Sequence, residues 1–229
     1  MWVGLVLGVG CANEAESPPT LETPPSELRA FISVGGPPVI ALASLTTVAD
    51  GKDFALENDD AFELAFRDRS VVLEGVHSTT ADNAPVTFYQ GLLPDVTPLQ
   101  GETVTITLHR GSGDLVSTAV WPAPVVIDPP PLFVSRAADF TFTWTPGGNL
   151  EGIAYSVSGF QCLSVGGTSD DTGTVTIPAN TLVLDANAPP TCGVNLSVQR
   201  GLTGILAQGF GGGKISTELR AFERFASTP

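Results

Sequence analysis

The chain has 229 residues and a formal net charge of −14, from 24 acidic and 10 basic side chains. A surface this acidic repels phosphate backbones and anionic lipid head groups, which excludes nucleic acid as a partner. Charged residues make up only 15%, while Gly (25) and Pro (19) are plentiful, a balance that favours an all-β protein with many turns.

Residues 1–10 (MWVGLVLGVG) are apolar throughout. The run is too short to span a bilayer, which takes about 20 residues, and fits the roughly 7–15 residues of a signal-peptide core. Small residues, Gly8-Val9-Gly10, precede Cys11, and a segment rich in proline and glutamate follows it. This arrangement resembles a bacterial lipoprotein signal. The resemblance implies that residues 1–10 are removed, that Cys11 is lipidated, and that the membrane is a partner through the lipid anchor. Ala12, directly after the cysteine, resembles the residue that sends Gram-negative lipoproteins to the outer membrane. Residues 11–29 hold too little apolar surface to fold, so they read as a disordered, semi-extended linker.

Beyond the linker, period-two alternation marks strands near Val39–Leu42, Ala61–Phe66, Val71–Val76, Val86–Gln90, Thr103–His109 and Leu115–Trp121. Prolines crowd residues 122–131 and cannot donate to a β-ladder, so this run reads as a stiff connector. The first domain is therefore expected over 30–121 and the second over 132–229. Second-domain strands are expected near Asp139–Trp144, Ile153–Val157, Phe160–Val165, Thr174–Ile177, Gly193–Gln199 and Gly204–Gln208. Lys214–Phe225 carries both a helical and an alternating pattern. A strand is favoured there, because the second domain needs a closing partner.

The two halves share a pattern. Val104-Thr-Ile-Thr-Leu-His-Arg110-Gly111 recurs 90 residues later as Val194-Asn-Leu-Ser-Val-Gln-Arg200-Gly201. Upstream, Ala61–Phe66 parallels Asp139–Trp144. In the second half, Phe140-Thr-Phe-Thr-Trp144-Thr-Pro146 followed by Tyr155-Ser-Val157 resembles the early strands of a fibronectin type III or immunoglobulin-like module. The fold expected is two tandem sandwiches of this class, with Trp144 in a core. With Cys11 taken by lipid, Cys162 and Cys192 remain as a pair, and in an oxidising envelope they would form a disulfide.

Chemistry is sparse. Asp50, Asp53, Glu57, Asp59 and Asp60 form the densest acidic cluster, and carboxylates at alternating loop positions can supply the oxygens that calcium takes. A solvated acidic face explains the cluster better, since its spacing does not match an EF-hand. His77 and His109 are the only histidines, and His109 aligns with Gln199 in the repeat, as an exposed strand residue would. Gly209–Lys214 lacks the first glycine and the final Ser or Thr of a phosphate loop, and reads as a turn. No residue is expected to be catalytic and no cofactor is expected. The expected function is a non-enzymatic cell-envelope lipoprotein that binds, adheres or builds structure, with an envelope protein or glycan as partner. The alternatives are a carboxylate-dependent hydrolase on a β scaffold, or a calcium-dependent adhesin.

Overall fold

The computed structural model describes residues 23–56, 59–79, 85–148, 151–159, 162–184 and 189–229. The apolar run, Cys11 and Glu57 lie outside them. Eight strands build the first unit: β1 (Leu28–Gly36), β2 (Val39–Thr47), β3 (Ala61–Phe66), β4 (Arg69–Val72), β5 (Glu74–Thr79), β6 (Pro85–Leu93), β7 (Thr103–His109) and β8 (Leu115–Val120). They form two layers, β1-β2-β6-β5 and β4-β3-β7-β8. Each strand turns alternate side chains inward. Leu28, Ile32 and Val34 of β1 meet Phe62, Leu64 and Phe66 of β3 and Val104, Ile106 and Leu108 of β7 in one core. This strand order is that of an immunoglobulin-like sandwich.

The second unit comprises β9 (Phe133–Ser135), β10 (Phe140–Thr143), β11 (Ile153–Gly159), β12 (Cys162–Ser169), β13 (Thr174–Ile177), β14 (Cys192–Thr203) and β15 (Gly212–Thr228). The layer β12-β11-β14-β15 repeats the order of β4-β3-β7-β8, and a two-stranded layer, β10-β13, packs against it. Phe140, Phe142, Trp144, Val157, Leu196 and Phe225 form its core. Within the proline-rich connector, Val126 and Asp128 bond through their backbones to Thr145 and Thr143, and Ile127 is buried in this second core.

The repeat is real in β7 and β14, which hold the same place in their layers. The other parallel is not. Phe140–Thr143 lies in the two-stranded layer, while the counterpart of β3 is β11, beginning 92 residues on at Ile153. The aromatic residues that the two segments share fill a core in each unit, but layer position decides equivalence. The expected strand at 71–76 is two strands. Leu73 breaks it by donating its N–H to the Phe62 carbonyl at 2.8 Å and burying its side chain, and the chain then crosses to the other layer.

The two units share one sheet. β15 runs for 17 residues, and its first half pairs in parallel with β1 while its length from Ser216 pairs antiparallel with β14. The result is one layer in the order β12-β11-β14-β15-β1-β2-β6-β5. Ile215 and Leu219 of β15 pack in the first core and Phe225 in the second. Burying one such side chain stabilises by roughly 1.5–3 kcal/mol, so a single strand helps to hold both cores. Between β14 and β15 the expected strand at 204–208 is a loop. It reaches the first unit through an Ile205–Thr118 bridge and through Phe210, which joins the first core. Gly211-Gly-Gly213 makes the approach possible. A Cβ at Gly213 would overlap the Ala30 carbonyl, and one at Gly211 the Ser26 carbonyl, so the backbone lies directly against β1.

Candidate binding face

The continuous sheet has one face turned to the cores and one turned outward. On β15 the outward residues include Lys214, Arg220, Phe222 and Arg224, alternating with Ile215, Leu219 and Phe225 inside. Phe222 is 61% exposed. The Arg220 guanidinium lies 5.9 Å from the Phe222 ring centre and donates from Nε to the Gln199 side-chain oxygen at 3.0 Å. Arg224 donates to the Asn195 side-chain oxygen at 3.1 Å. Both arginines therefore lean on neutral amides of β14, and among the described residues neither forms an ion pair. Ser156 and Ser158 of β11 and Ser197 of β14 complete a shallow depression of about 490 Å³ that no carboxylate lines among the described residues. Further along the same face, Phe31, Leu42 and Phe88 form an apolar hollow of about 280 Å³, with Lys214 at its rim.

The arginines of the repeat do different work. Arg110 and Arg200 end the paired motifs, and both side chains are buried. Arg200 makes five hydrogen bonds from its five N–H groups. Nε and Nη2 grip both carboxylate oxygens of Asp171 at 2.9 Å, Nη2 also reaches the Thr145 carbonyl, and Nη1 reaches the carbonyls of Ala123 and Pro124. Asp171 also accepts from the Trp144 indole and the Gly147 amide. Burial pushes the Asp171 carboxyl up, but Arg200, Trp144 and Gly147 outweigh it and hold the group down to about 2. Arg110 pairs with Asp60 at 2.8 Å and donates to the Thr23 carbonyl. Each repeat arginine thus clamps the segment by which the chain enters its unit. The sequence marked Arg-Gly as the end of a strand; the clamp needed long-range partners that spacing cannot reveal.

The acidic cluster is spread over separate contacts. Asp50 bonds Thr47 and Lys52, Asp53 accepts the Thr87 amide at 2.7 Å, and Asp60 holds Arg110. Among the described residues no group of three His, Cys, Asp or Glu side chains is placed to hold a metal ion. His109 sits between Glu63 and Asp114, 3.0 Å from each, and these carboxylates raise its pKa. His77 contacts the Thr87 hydroxyl. Trp121 and Trp144 are core residues. Cys162 and Cys192 are joined by a disulfide that ties β12 to the start of β14, within one layer. Asp171, just beyond the end of β12, is the buried partner of Arg200.

No family model matches the chain, and no curated protein matches it. Among solved structures, a crystal structure of the titin domains Z1Z2 in complex with telethonin is similar at 12% identity and a TM-score of 0.18, covering 90% of this chain and 96% of that one. That overlap is too slight to bear on fold or function.

Proposed function

We propose that the chain is a non-enzymatic protein of the bacterial cell envelope, anchored by lipid on Cys11 and binding an envelope partner through the outward face of its continuous sheet. The observation that carries the reading is the β15 surface. An exposed phenylalanine flanked by two guanidiniums that form no ion pair among the described residues is suited to contact with a partner that carries acid groups. The buried carboxylates support the same reading, since Asp60 and Asp171 are held as ion-pair partners and serve the fold.

A non-acylated Cys11→Ser chain sedimented with isolated envelope tests the face. Retention should fall in a triple variant, Arg220→Gln/Phe222→Ser/Arg224→Gln. It should be unchanged by Val116→Ser, which alters an exposed residue on the opposite layer. Equal retention of all three chains would end the assignment of the face. Intact mass of the native chain tests the anchor. The account expects a chain that starts at Cys11 and carries acyl mass, and an unmodified chain that keeps Met1 would remove the anchor from it.

A further inference from the structure

We propose that the depression around Phe222 is a site for a carboxylate-bearing saccharide, a uronate-type sugar unit recognised through its acid group and one ring face. The inference rests on the binding face proposed above and names its occupant.

Charge comes first. The chain carries −14 overall, yet among the described residues no carboxylate lines this depression and two guanidiniums do. Screening limits distant charges to about 8 Å at physiological salt, so the local sign governs a ligand in contact. Along the outward face the first carboxylate is Glu218, which accepts from the Gln199 amide. The remaining surface repels long polyanions, which favours a ligand with one or two acid groups per recognised unit.

Geometry comes next. Arg220, Phe222 and Arg224 occupy alternate positions of one strand, about 7 Å apart in succession. A guanidinium offers a fork of N–H donors that matches a carboxylate. The Phe222 ring stands at the alternate position between the two arginines with the Arg220 guanidinium 5.9 Å from its centre, and Ser156, Ser158 and Ser197 supply hydroxyls in the same depression. A sugar acid has this combination: a carboxylate, an apolar ring face and a fringe of hydroxyls.

The topology argues against an extended acidic peptide. β11, β14 and β15 are all interior strands of the layer, with a neighbour on each side. They present no free backbone edge for an added strand, so recognition here must run through side chains.

The test is calorimetric titration of the full Cys11→Ser chain with a galacturonate trimer, its methyl ester, and a glutamate-rich peptide of equal charge. The trimer should bind and the ester should not. Arg220→Gln and Arg224→Gln should each weaken binding about tenfold or more, as loss of a charge-assisted contact does. Phe222→Ser should weaken it with no change in melting temperature, and Phe222→Tyr, which keeps a ring face, should restore it. Failure of the trimer to bind, equal binding of trimer and ester, or patch-dependent binding of the peptide at equal strength would each overturn the saccharide assignment. If the trimer fails while envelope retention still depends on the β15 face, the saccharide is wrong and the binding face stands. If both fail, both fall.

Discussion

Replacing Arg200 by Met keeps most of the side-chain volume and removes the charge. Arg200 is fully buried, and all five of its N–H groups are bonded. The variant leaves Asp171 with the Trp144 indole and the Gly147 amide but without its cation. It also strips one bond from each of three carbonyls, two of which belong to the connector between the units. Removing one partner of a buried ion pair costs about 3–5 kcal/mol. The three carbonyls that lose a charged donor place the loss at the upper end of that range, about 5 kcal/mol. Whole domains are stable by about 5–15 kcal/mol, so this single change removes a large share. With a urea slope of about 2 kcal/mol per molar, the midpoint should fall by about 2.5 M at unchanged slope. Adding Asp171→Leu should recover part of the loss, because the second change removes the uncompensated carboxylate. A loss under about 1 kcal/mol for Arg200→Met would refute the clamp.

The Asp171 carboxyl supplies a pH signature: its folded value of about 2 lies below the ordinary 3.8, so the stability it contributes is complete above about 4 and fades as pH falls toward 2. That contribution is at most about 2 kcal/mol, and urea melts from pH 5 to pH 2 should lose it in the parent chain but not in Asp171→Asn. Reducing the Cys162–Cys192 bridge, which closes a separation of 30 residues, should cost roughly 3–4 kcal/mol in thermal melts with and without reductant. Gly213→Val places a branched side chain at a φ of +117° against the Ala30 carbonyl, and should part β15 from β1. Hydrogen exchange should then accelerate along β1 as well as β15, whereas acceleration confined to one of the two strands would contradict the shared sheet.

The strands were legible wherever one face is buried. Thr103–His109, Ala61–Phe66 and Thr174–Ile177 alternate cleanly, and the structure gives them those bounds. The favoured final strand also exists, as β15. The β1 pattern, Leu28, Ala30, Ile32 and Val34 alternating with Arg29, Phe31 and Ser33, was equally plain. The proline-rich stretch before it masks its start, so the expected linker to residue 29 overlaps the strand, which begins at Leu28. Leu73 shows a different limit: a strand that changes layers keeps its alternation, so composition alone cannot place the break. The joining of the units was beyond local pattern, because nothing in Ile215 or Leu219 says that the core they fill belongs to the other half of the chain. The triple glycine was the one local trace, read as a flexible turn when its purpose is close passage against β1. The β15 face escaped for a related reason. Arg220, Phe222 and Arg224 are legible as alternate residues. Their pairing with neutral amides instead of carboxylates depends on β14, brought alongside from elsewhere in the chain.

A photo-crosslinking residue placed at Phe222 in cells, compared with the same residue at Val116, tests the binding face most directly. Both side chains are more than half exposed, at 61% and 52%, and they lie on opposite layers. The account predicts a discrete crosslinked product from position 222 that disappears when Arg220 and Arg224 are changed to Gln, and none from position 116. Equal crosslinking from both positions, or a product from 116 alone, would contradict it.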